Sequence, residues 1–297
     1  MKNGNSKFHN KLPIRRKLMQ VITAILYNCH FTGFASGSIY QGSLKTICTP
    51  GLNCYSCPGA VCSCPLGSLQ SALVSSRYKF PYYMLGLLLL MGLLFGRFIC
   101  GFLCPFGLIQ ELLYKLPTPK LKKSKATRIL SYSKYAILAF FAILIPIGLI
   151  PWIPQAPGFC KYICPAGTLE AGLPLVIKNE VLQALIGNLY TFKVVLLALI
   201  LISMIFIYRS FCRFICPLGA IYSFFNKISL VQIQVDEAKC THCDVCTRQC
   251  RMDVKCVGDH ECIMCGDCIG HCHADAICYK APQIHTKDRQ SESPDQS

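Results

Sequence analysis

The chain has 297 residues, of which 53% are hydrophobic and only 15% are charged, and its formal net charge is +16. A sequence this apolar and this poor in charge does not fit an ordinary soluble protein, so we assign it to a lipid membrane. The basic residues flank apolar segments, where they indicate membrane topology and attraction to anionic headgroups, and we therefore exclude nucleic acid as a partner.

Four apolar stretches are long enough to cross about 30 Å of hydrocarbon as helices. They lie near residues 18–37, 81–99, 129–151 and 190–208. The first contains Asn28, His30 and Thr32, which favours a tilted or partly buried helix over a lipid-exposed one. No cleavage pattern follows its basic start, so we interpret it as an uncleaved first helix.

Basic residues are concentrated before the first stretch and between the second and third, whereas segments 38–80 and 152–189 contain few of them. Because positively charged segments remain in the cytoplasm, the two basic regions are predicted to be cytoplasmic. We therefore expect a multi-pass protein of the cell membrane, with both termini in the cytoplasm and two cysteine-bearing loops outside.

An internal repeat relates the two halves of the membrane part. Residues 97–107 read Arg-Phe-Ile-Cys-Gly-Phe-Leu-Cys-Pro-Phe-Gly, and residues 209–219 read Arg-Ser-Phe-Cys-Arg-Phe-Ile-Cys-Pro-Leu-Gly. The outer loops also match, because Cys64 begins Cys-Pro-Leu-Gly-Ser-Leu and Cys164 begins Cys-Pro-Ala-Gly-Thr-Leu. Parallel repeats of this kind are a known way to build membrane units.

The predicted fold is an α-helical membrane protein with about four transmembrane helices in two repeats, followed by a small α+β ferredoxin-like domain. Residues 106–116 are predicted to form a short amphipathic helix on the inner membrane surface. The predicted boundaries are a transmembrane domain of residues 1–230 with repeats at about 18–107 and 129–219, a ferredoxin-like domain of residues 231–282, and a disordered polar tail of residues 283–297.

Eight of the 22 cysteines form two runs of the pattern Cys-x2-Cys-x2-Cys-x3-Cys, beginning at Cys240 and Cys262. In such runs three thiolates hold one [4Fe–4S] cluster and the fourth ligates the other cluster. We predict one cluster on Cys240, Cys243, Cys246 and Cys272, and another on Cys262, Cys265, Cys268 and Cys250. Arg251 and His273 stand where proline usually follows the fourth cysteine. Zinc is the alternative, although zinc sites favour paired Cys-x2-Cys ligands.

A third group of cysteines lies at the inner ends of the repeated segments. Proline suits the first position of a helix, so Cys104 and Cys216 are predicted to lie at helix N-termini, where the helix dipole favours thiolate. Two cysteines from each repeat would form one further metal site near the cytoplasmic face, on Cys100, Cys104, Cys212 and Cys216. The alternative is that these are ordinary packing residues.

A fourth group is predicted near the outer face. Its expected ligands are Cys57, Cys64, Cys160 and Cys164. Disulfides or free thiols are the alternative, because an outer compartment can be oxidising. The hydrocarbon core is about 30 Å thick, which is too long for an easy single electron step between the two membrane sites. The sites must therefore lie toward the middle of the membrane, or a quinone or a partner cofactor must bridge them. No role is assigned to Cys29, Cys48, Cys256 and Cys278.

At these residues the chain resembles the membrane-bound polyferredoxins of the NapH and NosR type, which join Cys-x3-Cys-Pro motifs at helix ends to a C-terminal double [4Fe–4S] domain. The resemblance covers about residues 80–280. It implies electron transfer between a membrane quinol pool or ferredoxin and a partner reductase or maturation system. The flavin-binding outer domain of NosR-type proteins is absent from this sequence.

We expect one-electron transfer without a substrate site of its own, because the sequence has no paired carboxylates, nucleophile triad or phosphate loop. The expected partners are membrane lipid and a redox protein such as a reductase, a ferredoxin or another membrane subunit. One alternative is a redox or maturation factor that uses its clusters to assemble or sense. Another is a thiolate metal transporter, although the polar mid-membrane residues typical of transporters are scarce.

Overall fold

A computed structural model describes residues 3–75, 81–121 and 123–280 of the chain, so the predicted tail of residues 283–297 lies outside the described residues. Helices dominate the described part. In the first half of the membrane unit the helical segments are Asn3–Tyr27, Thr32–Ser36, the 3-10 turn Ser43–Thr46, Pro65–Ser75, Tyr82–Phe95, Phe98–Phe102 and Pro105–Leu113.

The second half is also helical and contains two π-helical stretches. Its segments are Lys125–Leu130, Ser133–Ile137, the π-helix Leu138–Leu144, Ile145–Ile147, Gly158–Tyr162, the π-helix Gly167–Gly172, Leu173–Lys178, Glu180–Ala184, Asn188–Phe206, Ser210–Phe214 and Pro217–Phe225. The four segments from residue 125 to residue 147 follow one another as one long helix.

Two helices in the described residues are long and apolar enough to cross a membrane, Lys125–Ile147 and Asn188–Phe206. They coincide with the third and fourth apolar stretches of the sequence. The helix in the second stretch, Tyr82–Phe95, is apolar but has only 14 residues. By length and composition, therefore, the structure provides two candidate spans and one shorter apolar helix.

The first helix differs from the predicted one because it ends at Tyr27, well before residue 37. The side chain of Asn28 donates to the Ala24 carbonyl at 3.0 Å, and the backbone N–H of His30 donates to the Gly59 carbonyl at 3.1 Å. These bonds replace those that would continue the helix, so the chain turns into the short segment Thr32–Ser36.

The repeated sequence forms repeated local structure. Phe98–Phe102 and Ser210–Phe214 each have five residues, and Pro105–Leu113 and Pro217–Phe225 each have nine. Residues 106–116 were predicted to form an amphipathic helix, and in the structure the Pro105–Leu113 helix buries Phe106, Gln110 and Glu111 while Leu112 is exposed. Its polar residues therefore face protein partners and not water.

Glu111, on this inner helix, is the acceptor that joins three parts of the chain. Arg16 of the first helix donates to its two oxygens at 2.6 and 3.1 Å, Tyr208 donates at 2.9 Å, and Arg209 Nε donates at 3.0 Å. Burial raises the pKa of Glu111, but the charges of Arg209 and Arg16 outweigh it, and the net pKa lies below its ordinary value of 4.5. The carboxylate therefore stays charged and fastens the first helix to both halves.

The C-terminal unit begins after the helix Pro217–Phe225 and contains a two-stranded sheet and two short helices. Strand β1, Gln232–Val235, pairs antiparallel with strand β2, Ile277–Lys280, and Gln232 lies opposite Lys280. The helices between the strands are Val245–Gln249 and Asp267–Gly270. The two strands are the first and the last elements of the unit, so both cysteine runs lie between them in the sequence.

Two acidic side chains fasten the C-terminal unit to the membrane unit. Glu261 accepts from Arg97 at 2.8 Å and pairs with Lys134, and both cations are fully buried. Asp253 accepts from Thr127 at 2.9 Å and from Arg213 at 3.2 Å. The unit therefore docks through buried charge pairs, and its Met252, Val254 and Ile263 join the same hydrophobic core as the membrane cysteines.

Replacing Glu111 with Gln should destabilise the protein by about 3 kcal/mol, because two arginines would remain buried without a counter-charge. The thermal unfolding midpoint of detergent-solubilised protein measures this loss, and the exposed Glu180→Gln is the matched control. Since the pKa of folded Glu111 is depressed, its contribution is complete above the ordinary value of 4.5 and falls as the pH drops below it. A difference between wild type and Glu111→Gln that did not shrink on acidification would contradict this account.

Candidate metal centres

All 22 cysteines lie in the described residues, and none of them forms a disulfide bond. No group of three or more His, Cys, Asp or Glu side chains in the described residues is placed to hold a single metal ion. Sixteen cysteines are instead gathered in four sets. We call them the outer set (Cys54, Cys64, Cys160, Cys164), the inner set (Cys100, Cys104, Cys212, Cys216), the proximal set (Cys250, Cys262, Cys265, Cys268) and the distal set (Cys240, Cys243, Cys246, Cys272).

The two C-terminal sets each line a cavity of their own. The distal set surrounds a cavity of about 180 Å³, which Cys256 also lines, and the proximal set surrounds a smaller one of about 30 Å³. In each set the fourth cysteine comes from the other run, since Cys272 lies with the first run and Cys250 with the second. This is the grouping that the interlocked spacing requires.

The two runs share a backbone pattern that turns their sulfurs to one side. In the first run His242 and Asp244 have φ of 51° and 56°, on either side of the second cysteine. In the second run Met264 and Gly266, at the corresponding positions, have φ of 52° and 78°. Non-glycine residues rarely adopt this left-handed conformation, and it tends to persist at sites where function requires it.

The inner set lies in the core, and each of its four cysteines is at most 6% exposed. Burial, followed by the neighbouring sulfurs of Cys212 and Cys100, raises the pKa of Cys104 to about 12. Metal binding to cysteines releases the thiol protons. The donors and their burial fit a metal–sulfur group at this position.

Four helices begin with the same arrangement of a cysteine followed by proline. Cys64, Cys104, Cys164 and Cys216 each precede the first helical residue, and a glycine stands three positions after each of them. The N–H groups of Gly167 and Gly219 donate to the sulfurs of Cys164 and Cys216 at 3.4 Å. The sulfur therefore caps a free N–H group at the helix start, as oxygen does in ordinary N-caps.

A polar residue stands six positions after each of these four cysteines, and sequence reasoning missed it. These residues are Gln70, Gln110, Glu170 and Tyr222. Each contacts a part of the chain that carries a cysteine site. The fourfold spacing Cys-Pro-x-Gly-x-x-polar was visible in the sequence, so it was the signal that could have identified them.

The two glutamines are equivalent in their contacts. Gln110 Nε2 lies 3.0 Å from the sulfur of Cys212, and its Oε1 accepts from the Cys212 backbone at 3.4 Å. Gln70 Nε2 lies 3.5 Å from the sulfur of Cys160, and its Oε1 accepts from the Phe159 backbone at 3.0 Å. Both glutamines are fully buried, so each directs an amide donor at one cysteine of the opposite half.

The outer set surrounds a cavity of about 620 Å³, lined by Cys54, Cys64, Cys160 and Cys164. Cys57, which the sequence suggested as a ligand, is not among the residues that line it. Glu170 explains the difference, because its carboxylate accepts from the backbone N–H of Cys54 at 2.9 Å and holds Cys54 at the cavity.

Asn53 shows that the outer cavity is built to receive a polar group. It lines the cavity and is fully buried, yet neither its Oδ1 nor its Nδ2 has a hydrogen-bond partner. An unpaired buried amide is costly and calls for a ligand or water. Gly167 lies beside the same sulfurs, since a Cβ atom placed on it would be in ordinary contact with Cys54 and Cys164 at 3.7 Å.

Two consecutive backbone N–H groups connect the outer set with the inner set. The N–H group of Leu52 lies against the sulfur of Cys104, and the N–H group of Asn53 lies against the sulfur of Cys64. Since consecutive residues are about 3.8 Å apart, these two sulfurs lie within roughly 12 Å of each other. The distance between the two sets is therefore much shorter than the roughly 30 Å that separates the two faces of a hydrocarbon core.

Tyr222 also lies between these two sets. Its hydroxyl donates to the Pro50 carbonyl at 2.8 Å, at the start of the same connecting segment. Burial raises the pKa of Tyr222 well above its ordinary value, and charge on Cys100 and Cys64, one from each set, raises it further. A fully buried aromatic side chain therefore fills the space between the outer and inner sets.

The inner set in turn abuts the proximal set. Gly101, beside Cys100, packs so closely against the Ile263 carbonyl that no side chain would fit there. Ile263 follows Cys262 directly in sequence, and both belong to or pack against the core that contains the inner cysteines. Cys246 of the distal set also lies close enough to Cys268 of the proximal set for its charge to raise the pKa of that thiol, after burial and the other nearby sulfurs.

Comparison with known protein families gives one match. The model described as a 4Fe-4S binding domain matches residues 79–124, 135–175 and 191–233. Each matched segment contains one Cys-x3-Cys-Pro motif, with the two cysteines of the outer or inner set that it supplies. No solved structure matches the chain significantly.

Several known proteins are similar to this chain over most of its length. An uncharacterized protein of Methanocaldococcus jannaschii is 30% identical over 202 residues, which cover 65% of this chain and 68% of that protein. The putative electron transport protein YccM of Escherichia coli is 23% identical over 69% of this chain and 57% of its own length. The ferredoxin-type protein NapH of Haemophilus influenzae is 23% identical over 63% of each chain.

The glutamine contacts predict that each amide tunes the metal centre on its own set. Replacing Gln110 with Leu removes an N–H donor to Cys212, so we expect the reduction potential of the inner centre to fall while the outer centre keeps its potential. Gln70→Leu should act in the opposite way, on the outer centre alone. Potentiometric titration followed by electron paramagnetic resonance measures both. If either change moved both centres equally or neither, the glutamines would have no specific role.

Proposed function

The chain belongs to the family of 4Fe-4S polyferredoxins of the NapH and NosR type, and we propose that it is a membrane-bound protein that passes single electrons to or from a partner redox protein. Iron–sulfur clusters supply reversible one-electron chemistry when they are bound. One observation carries the proposal. The four cysteine sets follow one another through the molecule, and each is linked to the next by residues packed between or beside them.

The cysteines proposed as ligands are those of the four sets, with Cys54 in the position that the sequence suggested for Cys57. The order is outer, inner, proximal and distal. The distal set is the exposed end, since Cys243 is exposed and the inner set is buried. A partner protein would therefore meet the distal set first, and the outer cavity is the opposite terminus.

Residues of the chain fill the first two intervals in this series. Leu52, Asn53 and Tyr222 fill the interval between the outer and inner sets, and Ile263 fills the next one. No additional cofactor is needed between the outer and inner sets, because their nearest sulfurs lie within roughly 12 Å. The protein's part is to hold the sets at this spacing, to exclude water from the inner set and to direct N–H donors at the sulfurs.

The proposed orientation has both termini and the C-terminal unit in the cytoplasm, with four membrane-crossing segments. Basic residues around the inner end of the membrane unit support this orientation, because such residues are retained in the cytoplasm. Lys134 and Arg97 are buried against Glu261 on that side, where the C-terminal unit docks. The outer cavity would then lie nearer the outer face.

Iron and acid-labile sulfide content of the full chain, purified without oxygen, tests the ligand sets. Four clusters require about sixteen irons and two require about eight. We expect Cys54→Ser to remove about four irons, whereas Cys57→Ser, the matched control from the same loop, should remove none. Cys212→Ser should remove a different cluster, which is distinguished by its electron paramagnetic resonance spectrum.

The proposal fails for the membrane sets if wild-type protein holds only about eight irons and neither Cys54→Ser nor Cys212→Ser changes its spectrum. Loss of iron in Cys57→Ser but not in Cys54→Ser would instead return Cys57 to the outer site.

A further inference from the structure

A cavity of about 360 Å³ lies where the first helix, the end of the Pro105–Leu113 helix and the C-terminal unit meet. None of the cysteines lines it. Its basic lining residues come from all three parts of the chain and are Arg16, Lys17, Lys115, Arg251 and His271. Tyr114 and Tyr208 form an aromatic wall, with their rings edge to face at 5.2 Å.

The positive charge in this cavity is not balanced by its acidic residues. The acids that line it are Glu111 and Asp267, and Glu111 is already held by Arg16 and Arg209. In the described part of the chain, Lys17, Lys115 and Arg251 form no ion pair with a carboxylate. Three basic side chains therefore line one cavity without a paired carboxylate, and Asp267 is the one lining acid that forms no ion pair in the described residues.

The two lysines of the cavity, Lys17 and Lys115, lie near each other. Burial, followed by the charge of Lys115, lowers the pKa of Lys17, which means that the two ammonium groups repel each other. Arg16 adds a second indication, because it is 3% exposed and its buried Nε has no hydrogen-bond partner, although both Nη atoms reach Glu111. A bound anion would reduce the repulsion between the two ammonium groups, and it would accept a hydrogen bond from the unpaired Nε–H group of Arg16.

We propose that this cavity binds a phosphate ester, whose negative charge Lys17, Lys115 and Arg251 share. A cavity of about 360 Å³ is within the size range of small-molecule sites and exceeds what a lone phosphate ion fills. The Arg251 guanidinium lies 5.7 Å from the centre of the Tyr208 ring, which leaves its planar donors available for bidentate contact with phosphate oxygens.

The bound ester would join the C-terminal unit to the membrane unit. Lys17 belongs to the first helix, Lys115 follows the helix that carries Glu111, and Arg251 follows Cys250 of the proximal set. A single anion across these three residues adds a contact between units that already meet through Glu261 and Asp253. The source of the phosphate is a lipid headgroup or a soluble phosphate ester, and both present the same oxygens to the same three cations.

Thermal unfolding of the full-length protein in detergent, at constant ionic strength, tests this site with two probes. Short-chain phosphatidic acid represents a lipid headgroup and glycerol phosphate represents a soluble ester, with short-chain phosphatidylcholine as the zwitterionic control. We expect at least one of the two anions to raise the unfolding midpoint in a saturable way. A rise with the lipid alone identifies a headgroup, and a rise with glycerol phosphate identifies the phosphate group as sufficient.

The double variant Lys17→Gln/Lys115→Gln should bind the effective anion at least about tenfold more weakly, and Lys227→Gln, at an exposed cytoplasmic lysine, should bind it as wild type does. Without ligand the double variant should be at least as stable as wild type, because the contact between like charges is gone. Arg251→Gln tests the opposite wall independently. The site is refuted if neither anion raises the midpoint, or if both the double variant and Arg251→Gln keep the full wild-type response.

Discussion

The sulfur-capped helix start is the arrangement on which the rest of this structure depends. Four times in the chain a cysteine takes the N-cap position, a proline begins the helix and a glycine supplies the N–H group that faces the sulfur. Proline costs no hydrogen bond at that position, and the positive end of the helix dipole favours charge on sulfur. Six residues after the cysteine, Gln70, Gln110 and Glu170 each contact a cysteine of another segment, and Tyr222 donates to the Pro50 carbonyl. Position and electrostatics of each thiol are thus set by one short local unit.

Buried charge pairs hold the first helix, the two repeats and the C-terminal unit in the positions that bring the cysteine sets together. Glu111 accepts hydrogen bonds from Arg16 of the first helix and Arg209 of the second repeat. Glu261 and Asp253 of the C-terminal unit accept from Arg97 and Arg213 of the two repeats. Such pairs add little net stability compared with apolar residues of similar size, because desolvation offsets their attraction. In this docking Glu261 of the C-terminal unit pairs with both fully buried cations, Arg97 and Lys134. That docking brings Ile263 against Gly101 and the proximal set against the inner set.

The segment from Pro50 to Cys54 decides the length of the path through the membrane unit. Its consecutive N–H groups of Leu52 and Asn53 lie against the sulfurs of Cys104 and Cys64, and its Pro50 carbonyl accepts from the Tyr222 hydroxyl. A loop that stayed at the outer surface would leave the two sets much farther apart. The inward course of one short segment therefore makes a continuous series of four sets possible.

The sequence by itself determined the features that depend on local spacing. The spacing within each cysteine run and the helix starts at Cys104 and Cys216 follow from residues a few positions apart, because short segments have few conformations. The interlocked grouping of Cys250 and Cys272 was predicted from the known pattern of paired cysteine runs. The position of Cys54 at the outer cavity, where the sequence suggested Cys57, depended on Glu170, 116 residues away, whose carboxylate accepts from the Cys54 backbone. The end of the first helix at Tyr27 likewise depended on the Gly59 carbonyl. The closeness of the outer and inner sets and the unbalanced cations around Lys17 also required the tertiary structure, since contacts between distant segments are decided by the packing of the whole chain and not by local spacing.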